Sequence, residues 1–158
     1  MSSADQVAAD LEAANAEAIA FAESCSPREW ETIVPGEEWP VALVLHHIAE
    51  GHELLDGWLD RLRKGQAVAH TRNDIDDRNA LHASDYAGVS VEATIELLQS
   101  TCATTAATIR SLSDEELERS APFGPANGRE VTTAQIAGVA TTHVRTHLEH
   151  AATALRRD

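Results

Sequence analysis

The chain has 158 residues, 43% hydrophobic but only 4% aromatic, and a formal net charge of -14. This length suits one domain with one core, so we expect a single domain over residues 1–158. The negative charge would repel a phosphate backbone, and no segment approaches the roughly 20 apolar residues of a membrane span, so neither nucleic acid nor a membrane is an expected partner. Without a signal-like N-terminus, a cytoplasmic protein is expected. Abundant alanine and few aromatics favour helices.

Two long helices are predicted in the first half of the chain. The first follows Ser3 as a capping residue, and its apolar stripe has spacings of three and four: Val7, Leu11, Ala14, Ala18, Phe21 and Cys25. The second has Pro40 in its first turn and ends near Gly65.

Two further long helices are predicted in the second half. Ser90 is suited to cap the third helix, and Thr132 with Gln135 forms a capping box at the start of the fourth. Four helices of this length predict an all-α fold, an antiparallel four-helix bundle.

The connections are expected to contain short helices, because Ser26 to Glu29 and Ser113 to Glu116 are both capping boxes. The stretch from Gly65 to Gly88 is longer than the roughly 2–8 residues of a usual bundle loop, and it could form a lid.

A histidine pair lies on the second long helix. Residues of a helix advance by about 100° each, which places His47 inside the apolar arc between Leu43 and Leu54. The same geometry turns His46 toward Glu50, on the side expected to face water. His47 is therefore the candidate ligand of the pair, and His46 is not.

The fourth helix carries a second candidate pair. His147 lies within its apolar face and His143 at the margin, and two imidazoles four residues apart can reach one ion. His150 is one step nearer to water, and Arg145 points away from the pair.

One histidine on the second helix and two on the fourth predict a divalent metal site in the bundle. Three protein ligands leave coordination positions open, as in a reactive metal site, and imidazoles suit Zn²⁺, Ni²⁺, Fe²⁺ or Cu²⁺. Glu50, one turn after His47, is a candidate general base or supporting carboxylate, although a solvated helix surface explains it equally well.

Three short motifs resemble the DinB-like (DinB/YfiT) superfamily. The segment from Trp39 to Ile48 is similar to its helix-2 signature, the segment from His143 to His150 resembles its terminal HxxxH helix, and Arg78 with Asn79 resembles a common turn before the third helix. The resemblance implies an antiparallel four-helix bundle with unusual connectivity, a divalent metal held by His47, His143 and His147, and frequent homodimers.

The resemblance also implies a class of reaction on a small-molecule substrate. Relatives include S-transferases and isomerases that use a low-molecular-weight thiol such as bacillithiol or mycothiol, and some hydrolases. In mycothiol-dependent maleylpyruvate isomerases one ligand is glutamate where this chain has His143, which argues against that particular activity. The leading hypothesis is a thiol-dependent S-transferase. The alternatives are a metal-dependent hydrolase and a non-catalytic bundle that binds a metal or small ligand.

Overall fold

The computed structural model describes residues 3–156, which form seven α-helices, one 3-10 helix and two β-hairpins. The α-helices are α1 Ser3–Ser24, α2 Pro27–Trp30, α3 Val41–Leu62, α4 Arg72–Asp85, α5 Val91–Arg110, α6 Asp114–Glu118 and α7 Thr133–Ala154. The 3-10 helix spans Gly124–Ala126. Within the described part of the chain, no helix has both the length and the apolar character needed to cross a bilayer.

The four longest helices, α1, α3, α5 and α7, form the bundle. Helices α1 and α3 each pack against both α5 and α7. The first two long helices of the chain therefore lie on one diagonal of the bundle, and the last two lie on the other. The core between them contains fully buried aliphatic side chains, each of which contributes about 1.5–3 kcal/mol by burial: Leu11, Leu45, Ile48, Leu59, Leu98 and Ile109. The prediction of an all-α four-helix bundle is confirmed.

Side-chain caps set the starts of α5 and α7 where the sequence predicts them, whereas α3 begins directly after Pro40 without a side-chain cap. The Ser90 hydroxyl accepts a hydrogen bond from the backbone N–H of Ala93, and Thr132 and Gln135 form a complete capping box. The two predicted short helices, α2 and α6, also begin with complete capping boxes. Each such cap contributes about 1 kcal/mol, so local sequence determines where these helices begin.

Helix α4 lies in the segment between Gly65 and Gly88, where the sequence predicts a long loop. Thr71 and Asp74 form its capping box. The helix is polar, and His82 is its only buried residue, with 3% of its surface exposed. Helix α4 lies outside the four-helix core and covers one end of α3 through this ring.

Two short β-hairpins were not predicted. Strands β1 (Ile33–Val34) and β2 (Trp39–Pro40) pair antiparallel immediately before α3, and β3 (Ser120–Phe123) and β4 (Arg129–Thr132) pair before α7. The first hairpin packs against α7, and its turn places Glu37 beside that helix. The strands are too short for their alternation to be visible in the sequence.

Candidate metal centre

Three histidine rings from two helices meet on one side of the bundle. His47 comes from α3, and His143 and His147 come from successive turns of α7. The Nε2 atoms of His47 and His143 are 3.3 Å apart, and one ring nitrogen of each of the three residues lies within 4.8 Å of the others. Since Zn–N bonds are about 2.0–2.1 Å long, small shifts of these rings would let all three reach one ion.

The surroundings favour the neutral form of these rings. Burial, together with the neighbouring charges of His143 and His147, lowers the pKa of His47 to about 2. Burial, with the charge of His147, lowers the pKa of His143 to about 3. A neutral imidazole has the free lone pair that a metal needs, so both rings are prepared as ligands at neutral pH.

The position of His143 depends on a glycine of α3. A Cβ atom added to Gly51 would overlap the ring at Cε1 and would lie 2.8 Å from its Nδ1. The ring therefore occupies the space that any other residue at position 51 would fill. Its Nδ1 is buried and has no hydrogen-bond partner among residues 3–156, so the hydrogen bond toward His47 is its one polar contact there.

A carboxylate from the first hairpin fixes His147. The Oε1 atom of Glu37 is 2.8 Å from Nδ1 of His147 and 2.6 Å from Nδ1 of His150. Burial raises the pKa of Glu37, but the hydrogen bonds and charges of His150 and His147 outweigh this effect and lower it overall. The ionised carboxylate accepts a hydrogen bond from the Nδ1–H of His147, which leaves Nε2 with the free lone pair.

A second group of ionisable side chains lies directly beside the first. His46 is 4% exposed, so the prediction that it faces water is wrong. The physical reason is α4 and the residue after it, since the rings of His82 and Tyr86 cover His46 with centroid distances of 5.1 and 4.2 Å. Glu50 also lies under α4, and its Oε2 is 2.7 Å from Nδ1 of His82.

A cavity of about 520 Å³ is lined by the three histidines of the first group and, from the second group, by Glu50. It is formed by α3, α4, α7, the first hairpin, the end of β3 and the 3-10 helix. Its polar wall contains Glu37, His47, Glu50, Arg72, Arg78, Asn79, His143 and His147. Its apolar wall contains Trp39, Leu54, Leu55, Trp58, Ile75, Phe123 and Val139. Glu50, the candidate base, thus shares one cavity with the three histidines.

Two residues of this region were not identified from the sequence. His82 was assigned to a loop, although the Thr-x-x-Asp start of α4, in which Thr71 is the cap and Asp74 comes three residues later, was a detectable signal for a helix. Glu37 belongs to a turn between two-residue strands, and no pattern in the sequence connects it with the distant His147.

Comparison with known proteins identifies related sequences and folds. A family model described as the DinB superfamily matches residues 10–151. Among solved structures, the chain is similar to YfiT from Bacillus subtilis, described as a probable metal-dependent hydrolase with an unusual four-helix bundle topology. The TM-score is 0.83 at 20% sequence identity, over 99% of this chain and 89% of that one, a similarity that shows the fold. No curated protein matches the chain.

Proposed function

The chain belongs to the DinB superfamily, and from this premise we propose that it is a metal-dependent enzyme in which His47, His143 and His147 hold one divalent ion. The observation that supports this proposal most is the meeting of three imidazoles, without a carboxylate among them, at the wall of a large cavity. Three neutral ligands would leave the ion its full charge and open coordination positions, and they suit Zn²⁺, Ni²⁺ or Fe²⁺. The homodimer implied by the family stays a prediction.

The reaction we propose is the transfer of a low-molecular-weight thiol to an electrophile. When bound, a divalent ion lowers the pKa of a coordinated thiol or water and so supplies a nucleophile at neutral pH. We assign to Glu50, which lines the same cavity, the acceptance of the proton that the thiol loses. The new bond joins sulfur to the electrophilic carbon, and the leaving group departs with the electron pair.

The cavity is large enough to hold a small-molecule ligand beside the three histidines. Its volume of about 520 Å³ lies within the range of roughly 300–1,000 Å³ that is usual for ligand sites. Trp58 and Phe123 pack edge to face with ring centroids 5.0 Å apart, which gives the apolar wall a rigid surface. Arg72 and Arg78 of α4 also line the cavity, where they would attract an anionic group of the thiol or of its partner.

Hydrolysis is the second candidate, and it has its own support. Two carboxylates, Glu37 and Glu50, lie in the cavity wall, and either could take a proton from an attacking water. The structurally similar YfiT is described as a probable metal-dependent hydrolase. A bundle that binds a metal or a small ligand without catalysis is the remaining alternative.

The first experiment measures the metal in protein purified without a metal-binding affinity tag. We expect the wild type to contain at least one equivalent of a divalent metal. His47→Ala and His147→Ala should each contain one equivalent less. His70→Ala removes a histidine outside the three-histidine group and is the matched control, with unchanged metal content. Metal-free protein that takes up no metal on reconstitution would contradict the proposal.

The second experiment separates the two reactions. The metal-loaded protein is assayed with small thiols and epoxides or other electrophiles, and separately with simple esters and amides. Thiol transfer predicts turnover that requires both the thiol and His147. Turnover of esters or amides without a thiol would favour hydrolysis over thiol transfer as the reaction. A cellular activity that survives His47→Ala would contradict both proposed reactions.

Glu37→Gln should weaken metal binding by roughly 10–100-fold, the usual effect of losing a group that orients a ligand. The amide is a weaker acceptor and no longer holds the Nδ1 proton of His147 with a negative charge. Glu38→Gln is the matched control, because it removes the same charge from an exposed neighbour in the same turn. Zinc titration against a chromophoric chelator measures the zinc affinity of both variants. Equal affinities would mean that Glu37 does not orient His147 for metal binding.

A further inference from the structure

A second group of ligand-type side chains lies next to the proposed centre and shares no residue with it. His46 and Glu50 are one turn apart on α3, and His82 comes from α4. One ring nitrogen of each histidine and one carboxylate oxygen of Glu50 lie within 4.8 Å of one another. We propose that His46, Glu50 and His82 form a second divalent-cation site.

The contacts of His82 provide the first argument. Its Nδ1 faces Oε2 of Glu50 at 2.7 Å, and its Nε2 is 3.4 Å from the carbonyl oxygen of Leu43, which can only accept. Without a cation, a hydrogen on Nδ1 joins this nitrogen to Glu50. With the hydrogen on Nε2, the ring donates to Leu43 instead and presents the Nδ1 lone pair beside the carboxylate oxygen, as a shared cation requires.

The burial of His46 provides the second argument. A hydrogen bond between His82 and Glu50 satisfies those two groups only. His46 is 96% buried, and its Nδ1 has no hydrogen-bond partner among residues 3–156. A cation held by all three residues would give a buried polar ring a partner that the described protein atoms do not provide.

The donor set and its surroundings determine which cation fits. Two imidazole nitrogens and one carboxylate oxygen are a known set for Zn²⁺, with His82 donating its other N–H to a backbone carbonyl as metal-bound histidines commonly do. Arg78 has its Nη2 3.9 Å from Oε2 of Glu50 and would compete with the cation. We therefore expect this site to bind zinc more weakly than the three-histidine site.

Occupation of the second site would change what Glu50 can do. A carboxylate that coordinates a cation is a poor proton acceptor, because its lone pair is engaged. If Glu50 accepts the proton of the thiol, a consequence that depends on the proposed function, zinc beyond the first equivalent should lower turnover. The second site would then be inhibitory.

Zinc binding by the metal-free full-length chain tests the proposal. Zn²⁺ alone is titrated, and bound zinc is counted by elemental analysis after rapid desalting and by competition with a chromophoric chelator. The variants are His82→Gln and Glu50→Gln for the second site, His143→Gln for the first, and His70→Gln as a control for histidine content. Circular dichroism establishes that each variant is folded, and Glu50→Gln provides the test if His82→Gln does not fold.

We expect the wild type and His70→Gln to bind two equivalents of zinc. The more weakly bound equivalent should be lost in His82→Gln and in Glu50→Gln, and the more tightly bound one in His143→Gln. One equivalent in the wild type that persists in Glu50→Gln would overturn the proposal, and so would two equivalents that persist there. One equivalent that survives His143→Gln but not Glu50→Gln would support the second site and contradict the first. The two proposals can therefore fail separately.

Discussion

Gly51→Ala should weaken zinc binding at the three-histidine site at least about 100-fold, although Gly51 offers no ligand atom. The new methyl group would overlap the His143 ring at Cε1 and stand 2.8 Å from Nδ1. The helix is rigid at this point, so the ring must leave its place between α3 and α7. Only His47 and His147 would then remain at the site, and two ligands bind an ion far less tightly than three.

The effect of Gly51→Ala on folding has two opposing parts. Alanine raises helix propensity by about 1 kcal/mol relative to glycine. Overpacking against a buried ring costs about 1–3 kcal/mol. We therefore expect a folded protein with slightly reduced stability, so that the loss of metal is a local effect and can be measured.

Gly57→Ala is the matched control, since it makes the same substitution in the same helix. Among residues 3–156, nothing lies within 4 Å of a Cβ atom built at Gly57. This variant should gain up to about 1 kcal/mol in unfolding free energy and keep the wild-type zinc affinity. Calorimetric zinc titrations compare the two variants. Wild-type affinity in Gly51→Ala would mean that His143 is not a ligand.

The bundle was predictable because its signals are local. Hydroxyl caps such as Ser90 and Thr132 determine helix starts within one turn of chain, and apolar spacing determines which side of each long helix is buried. The proximity of His47 to the pair on α7 follows from the same argument, because these residues lie on apolar sides of two helices that pack together. Their binding of a metal stays a prediction.

The surroundings of the three histidines were not predictable in this way. Helix α4 is polar on nearly all sides, so it has no apolar stripe that predicts a helix, and it contributes His82 through a single buried position. The error about His46 has the same cause, since a residue on the polar side of α3 becomes buried only when another polar element covers it. Glu37 reaches His147 across 110 positions of the chain, from a turn whose geometry leaves no periodic pattern.

Acid should unfold the metal-free protein within a few pH units below neutrality because it contains buried histidines, of which His52 lies outside the three-histidine group. His52 has no exposed surface, its Nδ1 is 3.1 Å from the Thr101 hydroxyl, and its Nε2 has no partner among the described residues. Burial lowers the pKa of His52 to about 4. In the unfolded chain the pKa of a histidine is about 6.5.

The direction of the pH effect follows from these two values. Between pH 6.5 and 4 the unfolded chain binds a proton at His52 that the folded protein does not bind, so stability is complete above pH 6.5 and is lost as the pH falls toward 4. The loss is about 1.4 kcal/mol per pH unit for one such residue. Without metal, His47 and His143 act in the same direction, which raises the slope to as much as about 4 kcal/mol per pH unit.

A slope of this size is large compared with the roughly 5–15 kcal/mol by which domains are stable. Urea unfolding of the metal-free protein at several values between pH 7.5 and 5 should therefore show a steep fall in unfolding free energy. His52→Gln should reduce the slope by about 1.4 kcal/mol per pH unit, because it removes one residue that binds a proton in the unfolded chain and not in the folded protein. A flat profile, or an unchanged slope in His52→Gln, would mean that His52 is protonated or hydrated in the folded protein. Bound zinc should shift the fall to lower pH, since an ion held by His47 and His143 stabilises only the folded state.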